Sequence, residues 1–238
     1  MRVRASLLVS SLFLTLAGCS STEILQPSVQ TVTATVQGNT TRIFWLDERQ
    51  RFPETLTELA IMGEHGQYSS EYRWRKGVVR EIQREGNTLI DGELKHQWVL
   101  IRYDSEGQAV YQQYRLNGVL LPIRSTELVR YYQQAQKALE AAQTLGKNKK
   151  YFFQGHGNQR EFEECGTGNV KTLKFTVAFP DDIQQRLRQE DNFIAAVGTV
   201  EGDINTVETM IVLGDGSVNC FEMPRLTGDK PLNEKTRP

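Results

Sequence analysis

Histidine and cysteine are scarce in this 238-residue chain, which has three of each. The histidines are His65, His96 and His156. None stands four residues from another and no His-Glu-x-x-His run occurs, so a zinc hydrolase of that type is not supported. No Gly-x-Ser-x-Gly is present, which removes the nucleophile elbow of an α/β-hydrolase. Gly166 and Gly168 follow Cys165 rather than joining a strand to a helix, so they do not make a phosphate loop. A Cys-x-x-Cys redox pair is also missing. Neither sign of charge is in excess: 28 Lys and Arg face 29 Asp and Glu, a net charge of −1. That balance fits neither a nucleic-acid binder nor a chain with a polyacidic tail. Acidic residues do cluster at Glu161, Glu163 and Glu164 and at Glu201 and Asp203, with Asn205 and Asp215 further on. Their spacing matches no EF-hand, and solvated turn charges are the simpler reading. No carboxylate pair is singled out for glycosidase chemistry.

What the chain does have begins at its N-terminus. Arg2 and Arg4 precede an apolar run from Leu7 to Leu16, and Leu16-Ala17-Gly18-Cys19 closes it. This is the order of a secretory signal: a positive end, a short apolar middle, then small residues. An ordinary signal or a signal anchor are the alternatives, but the run falls short of the roughly 20 residues that span a bilayer. Leu-Ala-Gly-Cys resembles the lipobox of bacterial lipoproteins. The resemblance implies cleavage before Cys19, lipidation of its thiol and acylation of its new amino group. Asp after the cysteine commonly marks inner-membrane retention in that class. Ser20 stands there instead, which implies the outer membrane, facing the periplasm, with the inner membrane as the alternative. Removal of residues 1–18 takes Arg2 and Arg4 away and leaves 220 residues with a net charge of about −3. No second long apolar run follows.

The mature chain reads as mainly β with α (α+β): an antiparallel β meander, one long amphipathic helix, then a small OB-like β-barrel. Residues 19–37 read as a lipidated tether, although Thr31 to Val36 alternates as a strand would. Residues 38–123 form the meander. Its strand-like runs are joined by Lys76-Gly77, Glu85-Gly86-Asn87, Asp91-Gly92, Ser105-Glu106-Gly107 and Asn117-Gly118, which are hairpin signals. A short helix is expected from Glu54 to Met62, begun by Pro53 and ended by Gly63. Tyr72, Trp74, Trp98 and Tyr111 are expected on one face, as core. Residues 124–149 hold the helix and its linker. Leu128, Tyr131, Tyr132, Ala135, Ala138, Leu139, Ala142 and Leu145 recur at helical spacing, with Ser125 or Thr126 able to cap the start and Gly146 able to stop it. Lys147-Asn148-Lys149-Lys150 is a short basic loop. From 150 to 226 the order is three strands, a helix from Asp181 to Glu190, then two strands, which is the order of an OB barrel. Residues 227–238 read as a disordered tail.

With Cys19 consumed by lipid, Cys165 and Cys220 remain as an even pair in an oxidising compartment and read as a disulfide. Its loop of about 55 residues is worth about 4 kcal/mol in the chain-entropy model. Two separate buried thiols are the alternative. The signal, the Trp- and Tyr-containing meander, the Gln-rich helix and the Cys165/Cys220 barrel together resemble an uncharacterised lipoprotein family of enteric bacteria and vibrios that carries a domain of unknown function. That resemblance implies no catalytic residues. The expected role is non-enzymatic: an envelope interaction or scaffolding factor held to the membrane by Cys19, with an envelope protein as partner, no nucleic acid, no cofactor and no metal. A binding module for a glycan fragment, lipid or metal is the second reading, favoured if polar groups converge beneath Trp74 and Trp98. An envelope hydrolase is the third, favoured by a close pair of buried carboxylates.

Overall fold

Tight turns set the first half of the chain. At Lys76-Gly77, Asp91-Gly92 and Asn117-Gly118 both turn residues have positive φ, the geometry whose twist suits an antiparallel pair. Together with a fourth such turn at Gln50-Arg51, they organise eight strands, described within residues 26–226 of the computed structural model. The strands are β1 (Val29–Gln37), β2 (Thr40–Arg49), β3 (Phe52–Ile61), β4 (Gly66–Arg75), β5 (Val78–Ile90), β6 (Glu93–Tyr103), β7 (Ala109–Leu116) and β8 (Val119–Leu121). They lie in one sheet in sequence order, each antiparallel to the next. The signal segment, Cys19 and the expected tail at 227–238 lie outside the described residues.

Three expectations are corrected here. Val29–Gln37, placed in the tether, is strand β1, as the Thr and Val alternation suits. The short helix at Glu54–Met62 is strand β3, paired to β2 on one side and β4 on the other. Leu56, Glu58 and Ala60 point to one face and Thr57 and Leu59 to the other, so the three-residue spacing of Leu56 and Leu59 misleads. Pro53 is tolerated because it sits at the strand's start beside a bulge at Asp47/Glu48. Glu85-Gly86-Asn87 is no turn but runs through β5. A side chain on Gly86 would press within 2.8 Å of the Tyr68 Cβ on β4, so glycine permits the strands' close approach.

Helix α1 (Ser125–Lys147) lies across one face of this sheet. Neither Ser125 nor Thr126 caps it. Arg124 is the N-cap, and the Glu127 carboxylate reaches back to accept its backbone N–H at 3.3 Å. Its buried residues are Tyr131, Ala135, Ala138 and Ala142, small enough after Tyr131 to bring the helix axis close to Phe44, Leu46, Tyr72, Ile82 and Val99.

The second half closes into a barrel of β9 (Tyr151–Gly157), β10 (Phe162–Glu164), β11 (Val170–Phe175), β12 (Asn192–Glu201) and β13 (Ile204–Asp215), with α2 (Asp181–Leu187) between β11 and β12. β11 pairs parallel to β13, and every other pairing is antiparallel. Three strands, a helix and two strands with that closure give the OB-like order expected. Phe153, Phe162, Leu173, Ile194, Ala196 and Val207 fill the barrel, and Leu187 of α2 joins them. The outer face of β9 and β12 packs on the sheet: Phe152, Phe193, Ala195 and Val197 share an apolar cluster with Ala34, Ile43 and Trp45. The first two strands are therefore covered on both faces, by α1 and by the barrel. This explains the unbroken buried run Ile43-Phe44-Trp45-Leu46.

Candidate functional site

Beneath α1 the sheet buries a polar cluster that sequence reasoning missed. Phe44, Glu58, Ser70, Arg84 and Val99 lie opposite one another across β2 to β6, which brings an acid and a base to the same covered face. Glu58 is 2% exposed. Tyr72 donates its hydroxyl to Glu58 Oε2 at 2.7 Å, and Arg84 Nη2 donates to the same hydroxyl at 3.1 Å. Arg84 Nε donates to Ser70 Oγ at 2.8 Å. The guanidinium also stacks 4.1 Å from the Tyr68 ring and 5.2 Å from the Tyr131 ring of α1. Burial pushes the Tyr72 phenol well above its ordinary range, and the Glu58 carboxylate adds to that against the opposing pull of Arg84. Burial alone would lower the Arg84 pKa, but the surrounding phenols and Glu58 outweigh it and hold the charge. Among the described residues Glu58 is the one buried carboxylate. Tyr72 and, at 3.6 Å, Arg42 partner the carboxylate, with Arg84 behind the Tyr72 hydroxyl, so the cluster fastens three strands and a helix.

The aromatic residues do not converge. Tyr72 and Trp74 face α1 in the core, whereas Trp98, opposite Glu85 and Arg115, and Tyr111, beside the ion-pair row of Arg73, Glu81 and Arg102, lie on the opposite face. No polar set therefore gathers under Trp74 and Trp98 together. The acidic loop at Glu201–Asp203 receives a cation from the protein itself: Lys171 Nζ donates to Gly202 O at 2.9 Å and lies 3.5 Å from Asp203 Oδ1. Asn205 is buried and donates to Glu164 Oε1 at 2.8 Å. In the basic loop, Lys150 pairs with Glu208 of β13.

Cys165 and Cys220 are joined in a disulfide, with Cα atoms 6.2 Å apart. Cys165 follows β10 and Cys220 lies past β13, so the bond straps the C-terminal segment to the barrel's outer face. Gln154 of β9 fastens the same strap. Its side-chain amide donates to Phe221 O at 2.8 Å and accepts from Phe221 N at 2.7 Å. His156, two residues on, lies 3.8 Å from Cys220 through Nε2.

Two further features face solvent. At the junction of sheet, helix and barrel is a cavity of about 640 Å³, walled by Leu46, Ala142, Gly146 and Tyr151 and carrying Glu48, Arg51 and Lys147. At the far edge of the sheet, β8 covers only Tyr114 to Leu116 of β7. The outer edge of Ala109–Gln113 pairs with no strand among the described residues. Val110, Val119 and Leu120 there are 66%, 61% and 62% exposed. From Gly107 to Tyr114 the chain bears no charge and no proline, so a β-bulge at Val110, opposite Arg102 and Tyr103, is the guard this stretch keeps against pairing with another chain.

An eight-stranded open sheet, a helix on one face and a strapped OB-like barrel on the other define a β-rich two-part body with no assembled catalytic constellation among the described residues. A family model described as "Protein of unknown function (DUF1481)" matches residues 33–225, and the chain belongs to that family. The match runs from β1 to the end of the strap, so sheet, helix and barrel belong to the family together. No curated protein and no solved structure matches the chain.

Proposed function

We propose that this chain is a lipid-anchored, periplasm-facing lipoprotein of the bacterial outer membrane and acts there as a non-enzymatic interaction or scaffolding factor. The observation that carries the interaction is the free, uncharged and apolar edge of β7 beside the short β8. Past the bulge at Val110, backbone N–H and C=O groups along Tyr111–Gln113 are free to pair with an extended segment of an envelope protein, and Val110, Val119 and Leu120 offer apolar contact beside them. The anchor rests on Leu16-Ala17-Gly18-Cys19. Nine residues lie between Cys19 and Val29, a reach of at most roughly 35 Å over ten steps. β1 and β8 are opposite edges of the sheet, so the anchored side and the docking side differ.

In-cell crosslinking with affinity capture tests this. One partner at near-equal stoichiometry is expected with the intact chain, and it is lost when Val119→Lys and Leu120→Lys guard the edge. Both residues are exposed, so stability stays within about 0.5 kcal/mol. A partner retained unchanged by the double variant, or no specific partner at all, refutes the docking role. The second reading, a small-ligand module, is favoured by the junction cavity. Its apolar wall and its two cations, Arg51 and Lys147, which outnumber the one carboxylate of Glu48, suit an anionic amphiphile such as a lipid fragment.

A further inference from the structure

The disulfide seam carries a third soft ligand. The donor atoms of His156, Cys165 and Cys220 lie within 4.8 Å of one another, and His156 Nε2 is 3.8 Å from Cys220 Sγ. A tetrahedral zinc ion, with Zn–S near 2.3 Å and Zn–N near 2.0 Å, sets such donors roughly 3.5 Å apart. The imidazole and one sulfur already stand close to that spacing.

These ligands are held by more than the S–S bond. His156 sits on β9 between two paired strands, opposite Glu163 of β10 and Phe193 of β12, and its ring packs 5.3 Å from that of Phe193. The Cys165 N–H donates to Gln154 O at 2.9 Å. The Gln154 side chain fastens both backbone groups of Phe221, the neighbour of Cys220. One residue thus links the backbone beside both cysteines to β9 through contacts other than the S–S bond. His156 also lines a cleft of about 500 Å³ with Asn158, Glu161 and Glu163, so the imidazole is reached from solvent.

We propose that, when reduced, Cys165 and Cys220 join His156 to form a Cys₂His site for one zinc ion. A dithiol supplies the two electrons: the protein S–S bond breaks, two thiols form, and the dithiol leaves as its own disulfide. Zinc then displaces the two thiol protons and bonds both sulfurs and Nε2. The strap is clasped covalently in the oxidised chain and by metal in the reduced one.

The test uses the full chain with Cys19→Ser, so that Cys165 and Cys220 are the only thiols. A phosphine reduces it, leaving no competing thiol. Zinc is titrated against a chromophoric chelator, and cobalt(II) serves as a spectroscopic stand-in. The reduced chain is expected to take one ion, with a thiolate-to-cobalt charge-transfer band and both cysteines protected from alkylation; the oxidised chain takes none. His156→Ala, which leaves the disulfide able to form, weakens zinc at least tenfold. Circular dichroism follows the same titration, so that any loosening of the reduced chain appears as zinc-driven recovery. No ion in the reduced chain, equal binding by the oxidised chain through the cleft's carboxylates, wild-type affinity in His156→Ala, or loosening that zinc does not reverse each overturns the proposal.

Discussion

Replacing Arg84 with methionine asks how firmly the covered polar cluster holds the sheet. The substitution keeps much of the side chain's bulk but removes the cation. It deletes the 2.8 Å bond to Ser70 and the 3.1 Å bond to the Tyr72 hydroxyl, along with the stacking on Tyr68 and Tyr131. Glu58 then keeps the Tyr72 hydroxyl and one cation, Arg42, which lies 3.6 Å away and is 43% exposed. Arg84 and Glu58 meet through the Tyr72 hydroxyl rather than as a direct ion pair, so the loss is that of a buried cation's hydrogen bonds and of the donor to Ser70 and Tyr72, about 1.5–3 kcal/mol. That is a large share of the roughly 5–15 kcal/mol by which a domain is stable. Glu58→Gln together with Arg84→Met removes both charges, and the amide oxygen still accepts from Tyr72. The double variant is expected to recover about 1–3 kcal/mol relative to the sum of the singles. Urea unfolding followed by tryptophan fluorescence reads this directly, since Trp74 lies 6.1 Å from Tyr72 by ring centroids. A loss below about 1 kcal/mol for Arg84→Met, or strict additivity in the double variant, refutes the reasoning.

Three further outcomes follow from the same structure. The phenols of Tyr68, Tyr72 and Tyr103 are all raised by burial, so they favour the folded state while protonated. That stability is fully present below the unfolded phenol pKa of about 10 and is lost as pH rises above it; Tyr72→Phe should flatten the alkaline slope in denaturant titrations, and an unchanged slope counts against the burial argument. Replacing both Cys165 and Cys220 with serine opens a loop with a sequence separation of 55, costing about 4 kcal/mol, and exposes the strap at Phe221 to limited proteolysis; equal stability and equal cleavage would contradict it. Cys19→Ser should release the protein from the membrane into the soluble periplasmic fraction, and membrane retention would refute the lipid anchor.

Much of the architecture is legible locally. Helix α1 is carried by one long periodic stripe, Leu128 to Leu145, and the barrel by strand-like runs in a recognisable order. Three hairpins announce themselves through Lys76-Gly77, Asp91-Gly92 and Asn117-Gly118. The hairpin that was missed turns on Gln50-Arg51, where two left-handed residues occur without glycine, and its loss turned β3 into a helix. Gly86 reads as a turn because sequence does not distinguish a glycine needed for chain reversal from one needed for close approach to Tyr68. The Glu58–Tyr72–Arg84 cluster is assembled across three strands, so no local spacing encodes it. One signal could have found it. In Leu56-x-Glu58-x-Ala60 and Ile82-x-Arg84, residues of opposite charge share the inward alternation with apolar neighbours, which a strand permits only if they are paired. The free edge of β7 was likewise invisible until the shortness of β8 was known.

The proposed docking role requires the partner to bind at the sheet edge. A photo-crosslinking residue placed in turn at Val110, Val119 and Leu120, and at the exposed barrel positions Val170 and Val200, reads that place in cells. The account predicts one common adduct from the three edge positions and none from the barrel. Adducts from the barrel alone, with a silent edge, would contradict it.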